Sequence, residues 1–290
     1  MRLGVLILPE HRWADAAGRW RRAEALGFDH AWTYDHIAWG DLRDSPWFSA
    51  VPTLTAAAAV TSTLRLGTLV ASPTFRHPVP FARELITLDD ISHGRFTLGI
   101  GAGSLGWDAT VLGGPPWSPA ERSDRFAEFV DLLDRLLRER EVTVDGRFWS
   151  AREARLRPGC VQHPRLPFAI AATGRRGMAV VARHAAVWVT NGDRSHRGAP
   201  LDPGRGATVV ARQSRLLEEV CAAEGRDPGS LRRLVLTGPR LDPGLDSPGQ
   251  FADTVAAYEA AGATDLVVHW PRPHEPYAGD EAMLERIVGR

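Results

Sequence analysis

The sequence predicts an α/β protein, a single (β/α)8 TIM barrel over residues 1–290, on three observations. Short apolar runs alternate with helical periodicity eight times from end to end. The connections between them are short, and 290 residues suit a barrel of this kind. A doubly wound open sheet usually needs fewer units and carries a glycine-rich fingerprint in its first turn. Here the first turn, residues 8–13, reads LPEHRW and holds no glycine.

The elements follow in order. Residues 3–8, LGVLIL, form an apolar run stopped by Pro9, which reads as a buried strand. From 13 to 26, Trp13, Ala16, Ala17, Trp20, Ala23 and Leu26 recur at helical spacing, with Gly27 placed as a C-cap. A second strand spans 30–34, and a polar loop leads to a helix over 53–61. A third strand over 64–70 precedes a helix over 80–91. A fourth over 95–100 precedes a long amphipathic helix over 121–139, with arginine near its end. Residues 142–166 interrupt the alternation. Their Asp145 and Gly146 are a short-hairpin signal, so the segment is expected to be a hairpin-like excursion. Strands over 167–172, 186–190, 234–237 and 264–270 then alternate with helices over 175–185, 207–224, 248–261 and 280–288. Residues 193–206, rich in Pro and Gly, look like a mobile loop.

Composition excludes several classes of function. Basic and acidic residues number 35 each, so no net field draws the chain to nucleic acid or to an anionic membrane. No apolar stretch approaches the ~18 residues of a membrane span, and the N-terminal run is too short for a signal peptide. A cytoplasmic location is therefore expected. The two cysteines, Cys160 and Cys221, form no CxxC motif, and the histidines do not combine into a metal site. Every basic residue is arginine, as a GC-rich coding bias would produce; this excludes Schiff-base and P-loop lysine chemistry.

In a barrel the chemistry sits at the C-terminal ends of the strands. Strand two ends in Tyr34, Asp35 and His36, with Trp39 just beyond. Strand three runs out through 71–78, ASPTFRHP, and strand four ends in Gly99, Gly101, Ala102, Gly103 and Ser104. Strand five ends in Thr173, Gly174, Arg175 and Arg176, and strand six in Asn191. The alternating glycines leave one face without side chains, either a tight barrel corner or a bare wall for a flat ligand. The segment 173–177 opens a helix, so its free N–H groups and arginines suit an anion, or else Thr173 is a plain N-cap beside solvated arginines. Asp35 and His36 are adjacent, so only one can face the barrel mouth; the other should brace a neighbouring loop.

The segments 66–78, LGTLVASPTFRHP, and 87–103, TLDDISHGRFTLGIGAG, closely resemble the bacterial luciferase-like flavin oxidoreductase family. Residues 27–36 and 167–174 fall where that family has its strand-two and strand-five signatures. The resemblance implies FMN or the deazaflavin coenzyme F420 at the barrel mouth, with hydride transfer or, for reduced FMN, oxygen insertion. It places His36 in the cofactor pocket and implies a cis non-proline bond near Leu69 and Val70. The expected catalytic residues are His36 and Asp35. The expected cofactor-binding residues are Trp39, Val70, Ser72, Gly101, Ala102, Gly103, Thr173, Gly174, Arg175, Arg176 and Asn191, and no metal ligands are expected. Asp35, His36 and Trp39, with residues 67–76, match the F420-dependent branch. One departure is Ser104, where the branch's sugar-phosphate dehydrogenases carry an acidic residue. That puts the glucose-6-phosphate reaction in doubt and leaves Asp108 as the nearest carboxylate, unless it only caps its loop. F420-dependent hydride transfer to or from a small organic substrate is thus expected. The alternatives are an FMN-dependent monooxygenase supplied by a flavin reductase, and a non-catalytic flavin-binding protein. The expected partners are a small-molecule substrate and a second copy in a homodimer, with no nucleic acid or membrane.

Overall fold

In the computed structural model of the chain, residues 1–37 and 39–288 are described, residue 41 without its side chain. Eight parallel strands close into a barrel: β1 (Arg2–Leu6), β2 (His30–Thr33), β3 (Arg65–Thr68), β4 (Phe96–Gly101), β7 (Phe168–Ala171), β8 (Val187–Thr190), β9 (Arg232–Leu236) and β10 (Asp265–His269). The barrel closes where β1 pairs with β10, from Arg2 opposite Asp265 to Leu6 opposite His269. Helices α1 (Trp13–Leu26), α2 (Ala50–Val60), α3 (Pro78–Ile91), α4 (Pro119–Arg138), α5 (Arg175–His184), α6 (Pro203–Ala223), α7 (Pro248–Ala260) and α8 (Glu281–Val288) alternate with the strands. Alternation along each strand makes two cores. On β10, Val267 joins Leu6, Trp32, Ala169, Val189 and Leu234 inside the barrel, while Leu266 and Val268 pack outward with the helices.

Two expectations need correction. The excursion does pair as an antiparallel hairpin, β5 (Val142–Val144) with β6 (Ala151–Ala154), but Asp145 and Gly146 do not close it as a two-residue turn. The Glu128 carboxylate of α4 instead accepts the Phe148 and Trp149 N–H groups, each at 2.7 Å. A Cβ on Gly146 would lie 2.3 Å from that carboxylate, so the glycine serves close approach. The expected mobile loop is also shorter than 193–206. Asp202 caps α6 by accepting the Arg205 N–H, and buried Leu201 bridges Leu241 through two backbone hydrogen bonds with Arg240 and Asp242.

One clamp ties α1 to the turn entering β3. Glu24 Oε1 accepts the N–H groups of Ser62, Thr63 and Leu64 at 2.6–2.9 Å, and the Thr63 hydroxyl at 3.0 Å. Burial works to raise this carboxyl, but the three N–H groups and the hydroxyl outweigh it and hold it at about 2. The folded pKa lies below the unfolded value, so the contribution is present above the ordinary carboxylate range and is lost as pH falls toward 2. Glu24→Gln should cost about 1 kcal/mol near neutral pH, the charged-acceptor increment reduced by partial exposure. In urea unfolding, the gap between wild type and variant should narrow between about pH 5 and pH 2. A gap independent of pH would contradict the clamp.

Candidate active site

The loops after β2, β3, β4, β7, β8 and β9 surround a cavity of about 290 Å³ at the C-terminal end of the barrel. That is near the lower end of small-molecule pockets, ~300–1,000 Å³. His36 and Trp39 line it from the β2 side, and Val70 and Ser72 from the β3 side. Gly101, Ala102 and Gly103 follow β4, and Thr173 and Asn191 complete the opposite wall. The peptide between Leu69 and Val70 is cis.

The glycines after β4 separate by role. Gly99 lies outside the cavity, and a Cβ there would meet the Thr68 carbonyl oxygen at 1.7 Å, so it answers to barrel packing. Gly101 and Gly103 face the cavity. A Cβ on Gly101 would stand 3.0 Å from Val70 Cγ2, and Gly103 has a φ of +78°. The side-chain-free stretch is therefore a wall of the cavity as well as a corner of the barrel.

His36 Nδ1 is 2.6 Å from Asp108 Oδ2, and Asp108 Oδ1 accepts the Ile37 N–H at 2.8 Å. Trp47 Nε1 donates to the His36 carbonyl at 2.8 Å, and Trp39 stacks beside the imidazole. An ionised carboxylate only accepts, so Nδ1 carries its proton toward Asp108, and Nε2 is the nitrogen that can exchange one. Asp108 and His36 lie 72 residues apart, and the short helical turn Trp107–Ala109 brings them together.

Asp35 is not in the cavity. It is buried on the opposite side of the strand end, where Arg76 donates to both its oxygens at 2.8 and 2.9 Å. The Arg76 guanidinium lies over the Phe81 ring at 4.3 Å. This pair ties the loops after β2 and β3 together, so Asp35 braces the loop that presents His36.

Arg175 and Arg176 do not reach the cavity either. Arg175 donates to Glu219 on α6 at 2.5 Å, and Arg176 lies 3.7 Å from Asp124 on α4; both are exposed. Gly174 is not among the cavity-lining residues. It is the N-cap of α5, with no side-chain cap bond and open space where a Cβ would be. Directly after Thr173, the helix thus offers its leading backbone N–H groups rather than its guanidiniums.

Sequence reasoning missed two features. The first is an uncharged floor: Tyr34 is hydrogen-bonded to His269 Nε2 at 2.8 Å, and Tyr277 stacks on His269 at 3.5 Å between ring centroids. Burial lowers His269 to about 3 and raises Tyr277 to about 12, so both are neutral near pH 7. The second is Arg194 and Arg240 on the cavity wall after β8 and β9. Their only sequence signal was their place just beyond strand ends.

A glycine wall, an uncharged floor and an open helix N-terminus fit a flat ring carrying an anionic tail. Among the described residues, no cluster of three or more His, Cys, Asp or Glu could hold a metal, and no helix is long and apolar enough to cross a membrane.

An uncharacterised protein of Mycobacterium tuberculosis is 29% identical over 311 residues, covering all of this chain and 98% of its own length. An F420-dependent glucose-6-phosphate dehydrogenase from Beutenbergia cavernae is 39% identical over 141 residues, 46% of this chain and 39% of the relative. The 4-hydroxyprotoasukamycin monooxygenase of Streptomyces nodosus subsp. asukaensis is 31% identical over 235 residues, 77% of this chain and 60% of the relative. Among solved structures, the coenzyme F420 dependent tetrahydromethanopterin reductase of Methanopyrus kandleri shares the fold with a TM-score of 0.78 at 20% identity, covering 100% of this chain and 97% of that one. An F420-dependent secondary alcohol dehydrogenase does so with a TM-score of 0.79 at 18% identity, covering 99% and 96%. The family model described as luciferase-like monooxygenase matches residues 1–242. The chain belongs to the luciferase-like monooxygenase family.

Proposed function

We propose that the protein is an F420-dependent oxidoreductase that moves a hydride between the deazaflavin and a small organic substrate. The observation that carries this is the His36–Asp108 pair set into a glycine-walled cavity. Support for the deazaflavin comes from the names of the dehydrogenase relative and the two structural neighbours, and from Asp35, His36, Trp39 and residues 67–76.

When bound, the deazaflavin supplies the carbon that gives or takes the hydride. Gly101 and Gly103 would leave room for its flat ring, and Val70 and Trp39, which line the same cavity, would help exclude water. The first N–H groups of α5, with Thr173, would hold its phosphate. A hydride delivered to the substrate leaves negative charge on it. His36 Nε2 gives the proton that neutralises that charge, or takes one in the opposite direction. Asp108 holds the imidazole in orientation and stabilises its charged form. A homodimer belongs to the same proposal, with no separate flavin reductase.

The test is anaerobic oxidation of reduced F420 by the purified protein against a panel of small carbonyl compounds. Consumption of reduced F420 matched by substrate reduction is expected. Activity only with reduced FMN and oxygen would replace this proposal with the monooxygenase alternative, which the asukamycin-type relative supports. Tight F420 binding without turnover across the panel would favour a binding protein.

A further inference from the structure

Several arginines elsewhere on the barrel are paired: Arg125 with Glu121, Arg135 with Glu139, Arg165 with Asp134, and Arg233 with Glu218. The cavity mouth differs. Arg122, Arg194, Arg197 and Arg240 converge on one shallow recess that shares Arg194 and Arg240 with the cavity. Among the described residues, none of the four has a carboxylate within ion-pair distance. Asp193, the nearest acidic residue in the loop, is committed to Ser195 and to Arg212 at 2.9 Å.

Two further observations point to an anion. Arg122 Nη1 is buried and has no hydrogen-bond partner among the described residues, a cost that a bound acceptor would remove. The two loops that present Arg194 and Arg240 are tied by the Leu201–Leu241 bridge, and the Arg197 guanidinium donates to the Arg194 carbonyl at 2.6 Å. The like charges are thus held near one another by backbone pairing. Burial, then the neighbouring Arg194 and Arg197, lower the pKa of Arg240 from the ordinary guanidinium value.

We propose that Arg122, Arg194 and Arg240 bind an anionic group of the substrate, a carboxylate or phosphate, while its reacting end lies at His36. The substrate is then a small anionic molecule. Arg194 and Arg240 line the same cavity as Tyr34 and His36, whose rings lie 5.8 Å apart, so the cationic recess adjoins the reacting end of the cavity. The proposed phosphate place of the cofactor is elsewhere, at the start of α5. This inference rests on the proposed function only for what happens at His36; the anion site itself is testable without any cofactor.

Inorganic phosphate and malonate serve as probes, titrated calorimetrically into wild type, Arg194→Gln and Arg240→Gln, with folding checked by thermal unfolding. At least one probe should bind wild type, and each variant should weaken it at least tenfold. F420 affinity, measured on the same variants, should change less than threefold. Failure of both probes to bind wild type, or equal binding to wild type and variants, would overturn the proposal. So would a parallel loss of F420 affinity, because the arginines would then hold the cofactor's own anionic tail.

Discussion

His36→Ala should lower turnover about 10²–10⁴-fold, the usual yield of a positioned acid–base group. The imidazole is the titratable ring on the cavity wall whose second nitrogen is engaged by a carboxylate, Asp108, at 2.6 Å. Cofactor affinity should change much less, because the proposed phosphate anchor lies across the cavity at α5. His36→Gln separates the roles: it can still hydrogen-bond but cannot carry a proton, so it should stay near the Ala variant. Asp108→Asn should fall between, since it keeps a partner for Nδ1 but removes the charge that stabilises the protonated ring. Steady-state kinetics alongside equilibrium cofactor titration reads this. Normal turnover at saturating cofactor in His36→Ala, with weakened binding, would make His36 a wall rather than an acid–base group.

Asp35→Ala should destabilise the fold by about 3 kcal/mol while leaving turnover per folded molecule within a few-fold. Truncating one member of a buried ion pair leaves the other charge uncompensated, a loss of ~3–5 kcal/mol. The low end applies because Glu84, 3.2 Å from Arg76 Nη1, can still take part of the charge. Urea unfolding measures the stability. Removing both charges, Asp35→Leu with Arg76→Leu, should recover part of the loss. A variant of wild-type stability that has lost turnover would return Asp35 to the catalytic role the sequence suggested.

The contrast between these neighbours shows what the sequence could carry. Eight alternations of apolar run and helical spacing were legible because each is a local signal, and with them the strand ends where a barrel keeps its site. Adjacency told that Asp35 and His36 face opposite ways. Which one faces the cavity depends on Arg76, 41 residues on, and on Asp108, 72 residues on. Arg175 and Arg176 beside a glycine looked like a phosphate grip; Glu219 and Asp124, on two other helices, draw both away. The turn signal of Asp145 and Gly146 was likewise overridden by a distant carboxylate, Glu128. The arginine recess needed helix α4 and the loops after β8 and β9 brought to one place. Its members, spread over more than a hundred residues, leave no spacing to read.

The most direct test of the account is a parallel equilibrium titration of the purified protein with F420 and with FMN at one ionic strength. Because Asp35, His36, Trp39 and residues 67–76 match the F420-dependent branch, the protein should bind F420 at least tenfold more tightly, ~1.4 kcal/mol. Equal affinity, or FMN carried through purification, would contradict it.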